Sequence, residues 1–132
     1  MKYLLDTNIC IYIIKKKPPT VLNKLYSCEI DDIAISSITV SELEYGVQKS
    51  QFQERSKLAL TEFLLPFRIM NYDSEAASKY GLIRSSLEKL GQPIGAMDYL
   101  IAAHAMSLDL ILVSNNIKEF SKIEGLKYEN WV

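Results

Sequence analysis

Short runs of apolar residues alternate along the chain with longer stretches in which apolar residues recur every three or four positions. Short runs are typical of buried strands, and the longer spacing is typical of amphipathic helices. The predicted strands are Tyr3–Leu5, Ile33–Ser36, Arg68–Met70, Leu110–Val113 and a segment near Leu126–Tyr128. This alternation predicts βαβ units, and therefore an α/β fold with helices on both faces of a mostly parallel sheet of four to five strands.

Proline, glycine and capping residues set the expected helix boundaries. Pro18 and Pro19 end a first helix and start a second, and Asp73 or Ser74 begins a long helix that Gly91 ends. The other predicted helices run from about Val40 to Lys49, from Gln53 to Leu65 and from Ala96 to Met106. Between the last two strands the pattern predicts only a short turn, which contains Asn115, Asn116 and Glu119.

Length, composition and charge narrow the class of protein. The 132 residues fit one domain, 1–132, and 48% are apolar while 23% are charged. A net charge of −1 disfavours a protein that coats nucleic acid through bulk positive charge. The two cysteines, Cys10 and Cys28, form no zinc or disulfide pattern, and no apolar run is long enough for a signal peptide or a membrane span. We therefore expect a cytoplasmic protein that is not bound to a membrane.

Acidic residues occur where predicted strands give way to helices. Asp6 directly follows the first strand, Glu42 lies in the predicted first turn of the helix after the second strand, and Asp98 lies in the first turn of the alanine-rich helix. Asn116 and Glu119 follow the fourth strand. Ligands of parallel α/β sheets bind beyond the carboxyl ends of the strands, so one edge of the sheet could collect all of these side chains.

Each acid also has a purely structural explanation. Asp6 is a good N-cap, Thr39-x-x-Glu42 matches a capping box, and Asp98 suits the positive end of a helix dipole. If the carboxylates converge, however, capping alone does not suffice, because two like charges about 4 Å apart repel by about 4 kcal/mol at an effective dielectric near 20. Such a cluster binds a cation or protonates in part. Oxygen ligands suit Mg²⁺ or Mn²⁺, and phosphodiester hydrolysis is the chemistry that such an ion serves best.

Four ordered sequence blocks carry a family resemblance. They are Leu5-Asp6-Thr7-Asn8, Ser41-Glu42-Leu43-x-x-Gly46, Pro93-Ile94-Gly95-x-x-Asp98-x-x-Ile101-Ala102-x-His104-Ala105 and Asn115-Asn116-x-x-Glu119-Phe120. With these blocks, and with the ending Gly125-Leu126-x-x-Glu129-Asn130-Trp131, the chain resembles the VapC-type toxin ribonucleases of the PIN-domain superfamily. The resemblance covers essentially the whole chain.

The resemblance implies a three-layer α/β/α PIN-like domain that cuts RNA with Mg²⁺ or Mn²⁺. Asp6 and Asp98 would be the principal metal ligands, and Glu42 would complete the site directly or through water. The toxin would belong to a type II toxin–antitoxin system and cut tRNA, with initiator tRNA and its anticodon stem-loop as the expected target, and so stop translation. A VapB-like antitoxin would block the site and alone would contact DNA, while toxin homodimers and larger hetero-oligomers would form.

The chain departs from the family at one position. Many PIN domains carry a fourth aspartate after the fourth strand, where this chain has Asn115 and Asn116. An amide oxygen ligates weakly and brings no charge, so Glu119 is the candidate fourth acid. We therefore expect one firmly held ion rather than two.

Thr7, Asn8 and Arg84 are secondary candidates. Thr7 and Asn8 could orient Asp6 or bind phosphate, although capping explains them equally well. Arg84 could meet RNA phosphate, although a solvated helix face is the commoner explanation. His104, with no second histidine or cysteine at ligand spacing, is expected to be a partly buried, hydrogen-bonded residue.

Two other functions compete with the nuclease hypothesis. A phosphatase or phospho-acceptor would use Asp6 as nucleophile, but such sites need Asp-x-Asp, and here the sequence is Asp6-Thr7-Asn8. They also need a lysine after a later strand, where Ser114 stands. A PIN-like scaffold that binds RNA or protein with weak or no cleavage would be expected to lack acidic ligands, and only the Asn115-Asn116 departure favours it.

Overall fold

A five-stranded sheet forms the centre of the computed structural model, which describes residues 1–132. The strands lie in the order β3-β2-β1-β4-β5, and every neighbouring pair is parallel. They are β1 (Tyr3–Leu5), β2 (Ile33–Ser36), β3 (Arg68–Met70), β4 (Ile111–Val113) and β5 (Tyr128–Glu129). At the carboxyl end of β1, Leu5 is in register with Ile35 of β2 and with Val113 of β4. The α/β prediction is confirmed.

Seven helices connect and cover the strands. They are α1 (Thr7–Lys15), α2 (Pro19–Tyr26), α3 (Ser37–Lys49), α4 (Gln53–Leu64), α5 (Ser74–Lys89), α6 (Ala96–Ser107) and α7 (Ile117–Phe120), with a 3-10 turn at Ile30–Asp32. As expected, Asp73 caps α5 by accepting a hydrogen bond from the Ala76 amide, and Gly91 follows the helix at a positive φ of 70°. None of these helices combines the length and apolarity that a bilayer crossing requires.

The strands bury both of their faces. Alternation along β1 sends Leu4 into a core shared with α5 and α6, whereas Tyr3 and Leu5 enter a second core shared with helices α1 to α4. Since Leu4 and Leu5 are fully buried, truncating either to alanine would cost about 2–5 kcal/mol. Two cores on opposite faces of one sheet make the three-layer α/β/α arrangement, which is confirmed.

Helix α3 starts three residues earlier than the sequence pattern predicts. Ser36 is its N-cap, and the Ser36 hydroxyl accepts a hydrogen bond from the Ile38 amide at 3.0 Å. The predicted capping box between Thr39 and Glu42 is therefore wrong, because both residues lie inside the helix and Glu42 is in its second turn. The strand ends directly in a capping serine, so the helix needs no further signal to begin.

Two boundaries near the C-terminus also differ from the prediction. The segment expected to be a turn contains the short helix α7, and Asn116 is its N-cap residue but makes no side-chain cap hydrogen bond. The last strand is Tyr128–Glu129, at the far end of the segment predicted near Leu126–Tyr128. Four residues of helix are too few to produce a recognisable 3.6-residue periodicity.

Candidate active site

The acidic residues predicted from the sequence meet at the carboxyl edge of the sheet. A cavity of about 110 Å³ opens there, lined by Asp6, Thr7, Asn8, Glu42, Met97, Asp98, Ile101 and Phe120. Asp6 comes from the end of β1, Glu42 from α3 and Asp98 from the first turn of α6. The lining includes no lysine, arginine or histidine, so the cavity is an acidic pocket without a cationic side chain of its own.

Asp6 both caps a helix and faces the pocket. Its Oδ1 accepts a hydrogen bond from the Ile9 amide at 3.0 Å, which begins α1, and only 7% of the residue is exposed. Burial raises the pKa of Asp6 from 3.8 to about 6; repulsion from Asp98 and Glu42 adds to the rise, while hydrogen bonds with Ser114 and Ile9 oppose it. The structural and functional explanations of Asp6 are therefore compatible.

Glu42 is held by a residue from a different helix. The Thr7 hydroxyl donates a hydrogen bond to Glu42 Oε1 at 2.5 Å, which joins the start of α1 to the second turn of α3. Sequence reasoning proposed that Thr7 orients Asp6 or binds phosphate. Its observed partner is the other carboxylate, and the bond aims Glu42 at the pocket.

Asp98 shares its surroundings with two residues that follow β4. Burial raises the pKa of Asp98, and repulsion from Glu119 and then Glu42 raises it further. The amide of Asn116 donates a hydrogen bond from Nδ2 to Asp98 Oδ2 at 3.3 Å. Where an aspartate would add repulsion, the amide of Asn116 stabilises the charged form of Asp98.

Glu119 and Arg84 lie outside the cavity lining. Glu119 is close enough to Asp98 to raise its pKa, but its Oε2 pairs with Lys122 Nζ at 3.4 Å. Arg84, on α5, donates to the Tyr80 hydroxyl at 2.6 Å and to Glu88 at 3.3 Å. Its guanidinium also lies over the ring of Tyr99, the neighbour of Asp98 in sequence. Glu119 thus borders the pocket, while Arg84 lies beside the helix that carries Asp98.

Sequence reasoning missed one polar residue of the site. Ser114 directly follows β4 and is almost fully buried. Its hydroxyl accepts a hydrogen bond from the Asn116 amide at 2.9 Å, and it forms the hydrogen bond with Asp6 described above. The rule that led to Asp6, a polar residue at the carboxyl end of a central strand, applies equally to Ser114. It also missed the apolar side of the pocket, which is formed by Met97, Ile101 and Phe120.

The pocket suits a divalent cation bound in part through water. Its ionisable ligands are all carboxylates, which hard cations such as Mg²⁺ and Mn²⁺ prefer. No three acidic side chains are arranged to ligate one ion together. Because Mg²⁺ usually keeps several waters and takes one or two carboxylates, two direct protein ligands are enough.

Comparison with known proteins identifies the family. The PIN domain family matches residues 3–126. The chain belongs to the PIN-domain family. The match spans the strands β1 to β4, ends before the edge strand β5, and includes every acidic residue of the pocket.

Relatives within this family are of the VapC type. "Ribonuclease VapC2" of Haemophilus influenzae (strain ATCC 51907 / DSM 11121 / KW20 / Rd) is 45% identical over 132 residues, covering 100% of this chain and 99% of the relative. "tRNA(fMet)-specific endonuclease VapC" of Shigella flexneri is 42% identical over 131 residues, covering 99% and 98%. The VapC-type resemblance inferred from the sequence blocks is confirmed.

Solved structures show the same fold. The chain superposes with a TM-score of 0.92 and 43% identity on VapBC2 from Rickettsia felis, a structure bound to a DNA fragment from the promoter, and each chain is covered completely. It also superposes with a TM-score of 0.94 and 39% identity on DNA-bound VapBC from Salmonella typhimurium, covering 100% of this chain and 99% of the other. Both neighbours are toxin–antitoxin complexes.

Proposed function

We propose that this chain is a metal-dependent endoribonuclease that acts as the toxin of a type II toxin–antitoxin system. The observation that carries the proposal is the pocket itself, in which Asp6, Glu42 and Asp98 line one cavity without a cationic partner. Burial, and then repulsion from neighbouring carboxylates, raises the pKa values of Asp6 and Asp98. A bound divalent ion would offset the repulsion and stabilise the fully ionised site.

Asp6 and Asp98 are the proposed direct ligands of Mg²⁺ or Mn²⁺, and Glu42 is the proposed ligand through water. Thr7 fixes the orientation of Glu42, and Asn116 fixes that of Asp98. When bound, the ion would orient a water molecule and stabilise charge on the phosphoryl oxygens. Glu119, paired with Lys122, would adjust the charge near Asp98 from the border of the pocket.

The proposed substrate is tRNA, and within that class initiator tRNA cut in its anticodon stem-loop. The Shigella flexneri relative is named a tRNA(fMet)-specific endonuclease, and it aligns over 99% of this chain. Cleavage of initiator tRNA would stop translation, which is the expected effect of a toxin. Arg84 and Asn8 are proposed RNA contacts, since Asn8 lines the pocket and Arg84 lies beside Tyr99.

The proposed partners are a VapB-like antitoxin and a second copy of the toxin. The solved neighbours from Rickettsia felis and Salmonella typhimurium are VapBC complexes with DNA. An antitoxin that covers the acidic pocket would inhibit cleavage, and promoter DNA would be bound through the antitoxin rather than through this nearly neutral chain.

Brief induction in cells, followed by mapping of new RNA 5′ ends, tests this function. We expect cuts confined to tRNA with the wild-type chain and none with Asp98→Asn, which is nearly isosteric. Purified protein should lose its cleavage in excess EDTA and regain it with Mg²⁺ or Mn²⁺. Full cleavage in excess EDTA, or equal cutting by Asp98→Asn, would contradict the proposal.

One observation favours a non-catalytic alternative. The acidic side chains are not arranged so that three of them ligate one ion, and Asn116 stands where an acid would add a ligand. A PIN-like scaffold that binds RNA or protein without cutting it needs no such ligation. Calorimetry with Mg²⁺ or Mn²⁺ in the presence of tRNA separates the two, because the scaffold would bind RNA and show no ion-dependent heat.

A further inference from the structure

A buried hydrogen bond links the two helices that carry Glu42 and Asp98. His104 of α6 lies 2.7 Å, from Nδ1 to Oγ, from Ser36, the residue that caps α3. The exposed fractions of the two residues are 1% and 0%, so water does not compete for this bond. The bond joins positions 68 residues apart in sequence, and neither residue lines the pocket.

The other contact of Ser36 favours the serine as the donor in this bond. The Ser36 hydroxyl already accepts from the Ile38 amide at 3.0 Å, so its own hydrogen is free to donate. His104 Nδ1 is the acceptor within reach, which places the proton of the neutral imidazole on Nε2. Nε2 itself is buried without a partner. A charged His104 would turn Nδ1 into a donor and leave the Ser36 hydroxyl hydrogen without an acceptor.

The surroundings of His104 favour the neutral ring. The edge of Tyr72 packs against it with the ring centroids 5.4 Å apart. Burial lowers the pKa of His104, and only Asp73 and the backbone of Asn71 oppose that effect. The loop that carries Tyr72 is also tied to the start of α3, because the Tyr72 amide donates to the Ser37 hydroxyl at 3.0 Å.

We propose that His104 is a positioning residue, whose neutral ring accepts a hydrogen bond from Ser36 and thereby fixes the spacing of Glu42 and Asp98. The inference rests on the proposed nuclease function only for its kinetic readout. Ser36 sets where α3 begins, and α3 carries Glu42; His104 lies on the same helix as Asp98. A shift of one helix against the other would change the separation of the two carboxylates that share the ion.

Two substitutions at His104 separate this role from simple filling of the core. In His104→Asn the amide reaches about as far as Nδ1 and can still accept from Ser36, whereas in His104→Gln the amide reaches toward Nε2. Ser36→Ala removes the donor from the other side. Ser107→Ala is the matched control, because the Ser107 hydroxyl bonds to a carbonyl of its own helix and does not reach α3.

Each variant is measured for Mn²⁺ affinity by calorimetry, for kcat and KM on bulk tRNA, and for thermal unfolding. We expect His104→Gln and Ser36→Ala to weaken Mn²⁺ binding and to lower kcat, with little change in KM, by on the order of tenfold each, since small misplacements of reacting groups are costly. In His104→Asn, the Mn²⁺ affinity and kcat should stay within about threefold of wild type. The double variant Ser36→Ala/His104→Gln should lose no more than either single variant, because both changes remove the same bond. Ser107→Ala should match wild type.

The outcomes decide between positioning and packing. If His104→Asn loses as much Mn²⁺ affinity as His104→Gln, or if folded Ser36→Ala binds Mn²⁺ like wild type, the proposal is overturned. Should His104→Gln fail to fold, the comparison of Ser36→Ala with His104→Asn and wild type still tests it. A wild-type protein that binds Mn²⁺ but cuts no RNA would refute the nuclease function, while the affinity series would still decide the role of His104.

Discussion

The acidic pocket and the buried His104–Ser36 pair differ in the charge of their ionisable groups. The carboxylates of Asp6 and Asp98 share one pocket, and no cationic side chain lines it. Outside the lining, His104 is also buried, yet its ring is neutral and Nδ1 is paired with the Ser36 hydroxyl. The difference teaches that burial alone does not mark a functional site. Uncompensated charge does mark a functional site, because it requires a cation from outside the chain.

The two regions also depend on pH with opposite sign. The folded-state pKa of Asp6 is raised from 3.8 to about 6, so its contribution to stability is present below pH 3.8 and is lost as the pH rises through 6. The folded-state pKa of His104 is lowered from 6.5, so its contribution is present above pH 6.5 and is lost as the pH falls through the folded value. At neutral pH the charged pocket therefore destabilises the fold, whereas the neutral His104 still makes its full contribution to stability.

The largest expected effect is the loss of cleavage on neutralising one pocket carboxylate. Asp6→Asn or Asp98→Asn should lower kcat on tRNA by about 10²–10³-fold or more, because a fixed charge that acts in the transition state is removed. The exposed Asp31, in the 3-10 turn, provides the control Asp31→Asn, which should cut like wild type. If Asp6→Asn and Asp31→Asn were equally active, the pocket carboxylate would matter no more to cleavage than an exposed acidic residue.

The same Asp6→Asn change should stabilise the fold where the carboxylate is charged. A rise of roughly two pKa units corresponds to about 3 kcal/mol, so urea unfolding at pH 8 without divalent ions should show a gain of up to this size. At pH 3.5 the gain should disappear, because Asp6 is then protonated in the folded wild type. A gain that is the same at both pH values would mean that charge at Asp6 does not strain the fold.

Divalent ions should offset the destabilising charge of the pocket in the wild type. Mn²⁺ at about one hundred times its dissociation constant should raise the free energy of unfolding by about 2.7 kcal/mol, detected as a higher Tm at pH 7.5. Asp98→Asn should show little of this increase, whereas Asp31→Asn should show all of it. An unchanged Tm in the wild type would mean that the pocket binds no ion.

The smallest effect is expected at the histidine link. Between pH 7.5 and pH 5 the stability of the wild type should fall relative to that of His104→Asn, because ionisation of His104 is unfavourable in the folded state and the amide of the variant does not titrate. The measurement is the difference in Tm between the two proteins at each pH. A parallel decline would place the acid sensitivity elsewhere and would weaken the contrast with the pocket.

Much of the fold was predictable because its signals are local. Buried runs such as Tyr3–Leu5 and punctuation such as Asp73 and Gly91 determine elements within a few residues. Boundaries failed where two local signals competed, as at Ser36 and Thr39, or where the element was as short as α7. Among the site residues, Asp6, Glu42 and Asp98 were predictable from their places after strands and in early helix turns.

The partners of those residues were not predictable. No local pattern pairs Thr7 with Glu42 or Asn116 with Asp98 in preference to other choices. From the sequence, Arg84 was a candidate RNA contact, but only the packing of α5 against α6 shows its guanidinium over the ring of Tyr99. These contacts depend on how helices from distant parts of the chain are oriented.

The sequence by itself determined the α/β class, the family blocks and the three acids, because hydrophobic periodicity and strand-end placement are properties of adjacent residues. Tertiary structure decided that the acids share one cavity, that burial raises the pKa values of Asp6 and Asp98, and that Ser36 and His104 meet. Burial and electrostatic repulsion depend on distance in space, and parallel crossover connections bring together residues that the chain separates widely.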